Sequence, residues 1–264
     1  MNKLIMVSAI LVCHSMTSVA ETQLTISPSL LHFDYTEFST TDSVLDRELG
    51  WLPGLDARLR HPVSSDWFIA AHTSYYQGMV DYVGQTQSGV PHTTDTDTNL
   101  FRIGASIERL IYTKTHLFLS AQSHRWKRDI QDNNNISGID ETYQWMEYSI
   151  GLNSDVFVSH QDVINLEAGF LITRNATLDV DLTRANLGST TLDLGNGSGI
   201  RLNLLWQRQY KENARYGLSL FFESWEFGRS NTKQTQDSTT IVFVTEPRSE
   251  TRNIGLKFNI EYSF

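Results

Sequence analysis

The sequence predicts an all-β fold: a single up-and-down antiparallel transmembrane β-barrel of about ten strands with long extracellular loops. Three observations carry that prediction. At the end of the chain Ile254, Leu256, Phe258, Ile260, Tyr262 and Phe264 alternate with Gly255, Lys257, Asn259, Glu261 and Ser263, so one face is wholly apolar. Alternation over about ten residues matches the length at which a tilted strand crosses a bilayer, and soluble strands are about half as long. At the other end Lys3, the apolar stretch from Leu4 to Val12 and the small-residue site Ser18-Val19-Ala20 have the form of an export signal. Between the two, no further run is apolar enough for a membrane helix and the mean hydropathy is -0.30, as expected when only alternate residues face lipid.

Residues 1–20 are therefore expected to be a cleavable signal peptide and residues 21–264 the barrel, exported to the outer membrane of a Gram-negative cell. The apolar core of the leader is too short to remain as a membrane anchor. Cys13 is preceded by Val12, too bulky for a lipid-attachment box, and it is the chain's one cysteine. The mature protein then has no disulfide, thiolate metal site or cysteine nucleophile.

The elements follow in order. Leu30 to Phe38 is the first strand; Trp51, Leu55, Ala57, Leu59 and Trp67, Ile69, Ala71 mark the next two. Tighter stripes are Phe101, Ile103, Ala105, Ile107; Met146, Tyr148, Ile150, Leu152; Ile164, Leu166, Ala168, Phe170, Ile172; Ile200, Leu202, Leu204, Trp206; and Tyr216, Leu218, Leu220, Phe222. Leu117 to Ser123 adds another, and the terminal stripe brings the total to about ten, an even number as bacterial barrels require. Short connections near 61–66, 112–115, 155–161 and 210–213 alternate with long polar ones near 39–48, 84–99, 129–141, 175–198 and 230–250. Short turns belong to the periplasm and long loops to the outside, which places both termini in the periplasm. Trp67, Tyr75, Trp206, Tyr216, Tyr262 and Phe264 near strand ends suit interfacial aromatic girdles. Thr239 to Thr245 is β-prone, so the last hairpin is expected to continue above the membrane.

Removal of the leader takes away Lys3 and no acid, leaving a charge one unit more negative than the -9 of the full chain. That acidity argues against nucleic acid as a partner. The expected partners are outer-membrane lipid, lipopolysaccharide and the barrel-assembly machinery, with the barrel itself a monomer.

In its order of elements the chain resembles the omptin family, ten-stranded outer-membrane proteases whose barrels extend above the lipid. The resemblance rests on Gly78-Met79-Val80-Asp81, a long polar stretch leading to Asp97-Thr98-Asn99-Leu100, then Tyr148-Ser149-Ile150-Gly151-Leu152 and the closing Gly255-Leu256-Lys257-Phe258. It implies topology first. Omptins set two acids one residue apart against an Asp-Glu-His type dyad on another loop. Here Asp81 matches the first acid, but Val83 stands at the second, and residues 175–198 hold Asp179, Asp181 and Asp193 with no histidine. A carboxylate without a basic partner lacks an evident way to activate a nucleophile. His92 or His124, moved over the mouth to meet Asp81, Asp95 or Asp97, is the route by which protease activity stays open.

No catalytic set is complete, and neither a metal site nor a cofactor is implied; His92-Thr93-Thr94-Asp95-Thr96-Asp97 offers calcium-type oxygens but reads better as a solvated acidic loop. Alternates of the lipid stripes point Asp56, Arg58, His72, Arg102, Glu108, Glu147, Asn165, Glu167, Arg201, Asn203, Glu223, Lys257, Asn259 and Glu261 inward. Both signs are present, so the lumen is expected to be filled by a structural ionic network; a narrow polar channel is the alternative. Two sites complete the expectations. Extending the outward sets of two strands upward reaches Arg125 and Lys127, then Arg174, a cationic rim for lipopolysaccharide phosphates. By the resemblance Arg125 falls where omptins keep a rim arginine, whereas Gln144 stands where a further basic residue belongs. Phe264 is the expected assembly signal. The function expected is that of a non-enzymatic structural or surface-interaction barrel.

Overall fold

The computed structural model describes residues 21–85, 89–133, 136–236 and 241–264. The expected leader, Cys13 included, lies outside the described residues. The wall is a closed antiparallel barrel of ten strands. These are β1 (Gln23–Phe38), β2 (Val44–Pro62), β3 (Trp67–Gln85), β4 (Pro91–Tyr112), β5 (Thr115–Ile130), β6 (Ile139–Val158), β7 (Asp162–Asp181), β9 (Gly197–Lys211), β10 (Ala214–Phe227) and β13 (Arg248–Ser263). Short β8 (Ser189–Asp193) pairs with the top of β7 above β9, and β11 (Lys233–Gln236) with β12 (Ile241–Val244) forms a separate hairpin. Neighbours in sequence are neighbours in the wall. Closure runs from Gln23↔Ser263 to Phe38↔Arg248, and Thr22 and Phe264 exchange backbone hydrogen bonds of 3.1 and 2.9 Å. With the ring shut, no wall strand leaves unpaired backbone groups facing lipid.

Each expected stripe lies on one of these strands, and within the band its alternating apolar residues face outward. Ile103, Leu119, Phe170, Leu218, Leu256 and Ile260 are each half or more exposed on the bare protein, which only a lipid surrounding accounts for. The strands run 14 to 22 residues, well beyond the roughly ten a bilayer needs, so the barrel stands above the apolar band.

Above the band the alternation keeps its period but reverses its sense. Phe33 and Tyr35 point inward and are fully buried, while Asp34 and Thr36 face out; Trp126 and Arg128 point inward, Arg125 and Lys127 out. Here the outside is water, so the apolar residues turn to the interior and build a core with Leu31, Leu52, Tyr143, Trp225 and Phe227. This corrects the expected loop lengths. Strand β2 begins at Val44 and β4 at Pro91, and β6 and β13 begin at Ile139 and Arg248, because their upper parts are sheet without a lipid stripe. The expected acidic loop His92–Asp97 is the start of β4, with Thr96 buried and Asp95 exposed on the opposite face.

One irregularity serves this reversal. Met146 pairs with Arg174 but Gln144 with Thr177, so Asn175 is the extra residue of a bulge, at φ 53°. Asparagine tolerates this left-handed conformation. The slip turns Ala176, Leu178 and Val180 into the core, where unbroken alternation would have placed Thr177 and Asp179.

Candidate functional site

The interior divides at the height of the band's upper edge. Below it lies a polar vestibule of about 280 Å³. Its walls hold the residues expected in the lumen, among them Asp56, Arg58, His72, Arg102, Glu108, Glu167, Arg201, Asn203, Glu223, Lys257, Asn259 and Glu261, with Glu147 and Asn165 buried beside them. The ions pair in place. Glu223 takes Arg102 and Arg201 at 2.6 Å each, Arg201 also reaches Glu147 at 2.7 Å, Lys257 reaches Asp56 at 2.7 Å, and Glu108 receives Arg58 and, at 2.9 Å, Arg60. The pairs nearer the turn end are wetter: the Arg58 side chain is 40% exposed and that of Glu223 2%. The vestibule therefore opens toward the short turns, and the expectation of a filled lumen holds only for the part above it.

That upper part is shut by rings. Trp126 stacks on Tyr143 at 4.6 Å and takes the edges of Phe33 and Tyr35 at 5.3 and 4.9 Å; Trp145 stacks on His124 at 4.5 Å and meets Trp225 and Phe227 at 6.0 and 5.1 Å. Aromatic pairs in this range combine large buried area with preferred ring geometry, which makes the layer rigid.

Above the rings, β1, β2, β5 and β6 and the segment before β13 aim Glu37, Asp46, Glu48, Arg128, Glu141 and Glu246 into one dry volume. Arg128 is the hub. It donates to Glu48 Oε1 from Nε and Nη2 at 3.1 and 2.9 Å and to Glu141 Oε2 and Tyr143 Oη from Nη1 at 2.7 and 3.0 Å, and its guanidinium lies over Tyr35 at 4.7 Å. Thr96 donates to Glu48 at 2.9 Å. Three of these five carboxyl groups, Glu37, Glu48 and Glu141, contact the guanidinium, and Asp46 and Glu246 do not. Burial, reinforced by Glu37 and Glu141, holds the Glu246 carboxyl well above the usual carboxylate range, and burial raises Asp46 likewise. Glu141 is pushed up to about 7 by burial in spite of Arg128. Tyr35 and Tyr143 are raised well above their ordinary value by the same burial, so both hydroxyls keep their protons.

The rim residues are placed as follows. Arg125 and Lys127 are exposed on the outer face of β5, opposite Gln144 and Thr142; Arg174 is on the outer face of β7 opposite Met146, one pleat lower, with Nη1 donating to the Thr173 carbonyl at 3.2 Å. Over them Asp97, Asp129, Asp140 and Asp181 face one another in register on four adjacent strands, with Arg184 bridging Asp129 and Asp140 at 2.6 and 3.0 Å. Phe264 is exposed at the end of β13, its ring 6.2 Å from that of Tyr262.

The acid matched to the omptin pattern is not in the mouth. Asp81 sits on the outer face of β3 opposite Asp95, and the inward residue beside it is Tyr82. His92 lies 6.0 Å from the Tyr82 ring, and His124 is buried below the aromatic layer, 3.4 Å from Glu147 without hydrogen-bond alignment. No histidine among the described residues is brought against Asp81, Asp95 or Asp97 by a hydrogen bond or an ion pair. The Arg128 cluster lies above the lipid stripes and so outside the expected site residues; its signal in the sequence is the alternates of the rim set, Trp126 and Arg128.

No protein-family model matches the chain, and no curated protein sequence matches it. Among solved structures it is similar to the outer membrane protease OmpT from Escherichia coli, with a TM-score of 0.66 at 10% identity over 94% of this chain and 98% of that one. Two others are the translocator domain of the autotransporter NalP from Neisseria meningitidis (TM-score 0.45, 9% identity, 91% and 88% covered) and the β domain of the Bordetella autotransporter BrkA (0.46, 10%, 93% and 100%). The first likeness shows the fold, an outer-membrane β-barrel of the omptin shape.

Proposed function

Starting from an outer-membrane barrel shut above its vestibule, we propose that this chain is a non-enzymatic, non-conducting monomer of the Gram-negative outer membrane whose extracellular end is a surface-interaction platform. The observation that carries the reading is the aromatic layer over the vestibule, in which Trp126, Tyr143, Trp225 and Phe227 are at most 2% exposed. Such packing leaves no water path through the upper barrel. In this reading Phe264, outward at the chain end, is the signal taken up by the barrel-assembly machinery, and the absence of free strand edges in the wall favours a monomer. The refolded protein is expected to give no stable current steps in planar bilayers, whereas Trp126→Ala combined with Trp225→Ala, which hollows the layer, is expected to admit them. Unitary steps in the unsubstituted protein would sink the non-conducting reading.

Lipopolysaccharide is the platform's first expected partner. Arg125 and Arg174, two strands apart, stand about 10 Å from each other across the wall, a span suited to neighbouring lipid phosphates. Cations near an anionic lipid surface are worth about 1 kcal/mol each. Replacing Arg125, Lys127 and Arg174 by glutamine is expected to cut lipopolysaccharide co-purification several-fold and to remove the rise in melting temperature on adding it. Unchanged values of both would dispose of the site.

A further inference from the structure

Tyr35 stands between two carboxyl groups and has one hydroxyl proton to offer them. Tyr35 Oη is 2.9 Å from Glu37 Oε1, 2.9 Å from Glu246 Oε1 and 3.2 Å from Tyr143 Oη, and Tyr143 Oη is 2.6 Å from Glu246 Oε1. Four oxygen–oxygen contacts are therefore served by two hydroxyl protons. With the Tyr143 proton on Glu246 and both carboxyl groups ionised, the Tyr35 proton serves one carboxylate and leaves its oxygen bare against the other at 2.9 Å in a buried site. Arg128 donates to Glu48, Glu141 and Tyr143 and reaches Glu37 at 3.5 Å, but it makes no hydrogen bond or ion pair with Glu246, which leaves Glu246 as the carboxyl to carry the missing proton.

Glu246 also holds something. It belongs to no strand; it ends the excursion that carries the β11–β12 hairpin and is the point where that excursion enters the barrel mouth. Its backbone exchanges hydrogen bonds with Ser230 at the excursion's start, N–H to Ser230 Oγ at 2.8 Å and carbonyl from Ser230 N–H at 3.0 Å, so both legs converge on it. Val244 packs on the core nearby. The first leg is tied to the β8 end by the Gly195–Gly228 bridge and by hydrogen bonds between Asn231 and Asp193, while its one ion pair there, Lys233 to Asp193 at 3.4 Å with the Asp193 side chain 66% exposed, is worth little in water.

We propose that Glu246 is a proton-dependent latch: its protonated carboxyl, bound by Tyr35 and Tyr143, seats the extracellular hairpin on the barrel mouth, and loss of the proton as pH rises unseats it. The charged and titratable groups around it are Tyr35 and Glu37 from β1, Arg128 from β5, and Glu141 and Tyr143 from β6, with Asp46 and Glu48 of β2 and Tyr82 of β3 in the same cluster. Burial raises the Glu246 carboxyl in the seated state, so seating is fully favoured below the ordinary carboxylate value near 4.5. It then weakens as pH rises from there through the raised value, about tenfold per pH unit for each proton released.

The test uses the barrel from Glu21 onward, which has no cysteine, with nitroxide labels at Thr41→Cys on the exposed β1–β2 turn and Phe243→Cys on the hairpin. Electron–electron distance measurements are expected to give a narrow distribution at pH 5 that broadens reversibly toward pH 9. In a Glu246→Gln background, which keeps the shape and cannot ionise, the distribution stays narrow throughout. An unsubstituted distribution that is the same at both pH values overturns the latch, and so does a Glu246→Gln protein that broadens with the unsubstituted midpoint. Should Glu246→Gln not yield a heat-modifiable barrel, the protonated-carboxyl stretch in infrared difference spectra of the labelled parent decides: its loss must share the midpoint of the broadening, and a different midpoint overturns the proposal.

Discussion

Arg128→Met is expected to destabilise the barrel by about 3–5 kcal/mol, because it strips the one guanidinium from a buried group of carboxyls. The methionine fills much of the volume and can lie among Tyr35, Trp126 and Tyr143, so packing alone loses little. The electrostatic loss remains. Glu48 is fully buried, and its Oε1 accepts two of its three hydrogen bonds from Arg128, leaving the single one from Thr96; its Oε2 has no partner already. Acid offers partial relief, since neutral carboxyls need no counter-charge. The deficit should therefore be larger at pH 8 than at pH 5: Glu141, at about 7 with Arg128 present, moves further up without it and stays protonated over more of the range. Urea unfolding in lipid vesicles, followed by tryptophan emission and by heat-modifiable migration at both pH values, measures this directly. A loss below about 1 kcal/mol, or one indifferent to pH, would show that the cluster tolerates its charges without the arginine.

A second large effect is expected inside the vestibule. Glu223→Leu removes the carboxylate that takes Arg102 at 2.6 Å and Arg201 at 2.6 Å. Arg201 keeps Glu147 at 2.7 Å, but Arg102 is left with only the Trp225 face at 5.5 Å, while its Nε is already buried without a partner. A buried guanidinium without its counter-ion costs about 3–5 kcal/mol. Removing both members, Arg102→Met with Glu223→Leu, should cost clearly less than the sum of the single changes, since the pair's desolvation disappears with it. Additive losses across that double-mutant cycle would mean that Arg102 and Glu223 are screened by vestibule water and act independently.

The unequal legibility of the two halves has a physical origin. Within the band, each lipid-facing residue is apolar and each alternate is polar, so the terminal strand from Ile254 to Phe264 and the stripe from Ile200 to Trp206 announce both their length and their inward set. Fourteen inward residues from Asp56 to Glu261 were readable on that rule, and the structure puts all of them on the interior side. Above the band the same two faces continue but exchange polarity. Asp81 matches a family acid by position, yet the lipid-derived face continues outward there and presents it to solvent, with Tyr82 and Val80 inside.

Alternation by itself determined the fold class, the ten strands, the lipid-facing band and the charged lining of the vestibule, because a period of two sorts residues into two faces without reference to anything distant. Which face is the interior depends on the medium outside, and that changes from lipid to water partway up each strand. Only the closed barrel decided where the change falls, how the Asn175 bulge keeps Leu178 and Val180 in the core, and that Glu37, Glu48, Arg128, Glu141 and Glu246 meet. Those five come from positions as far apart as Glu37 and Glu246, and the cost of burying them is visible only once ring closure has brought them together in the interior.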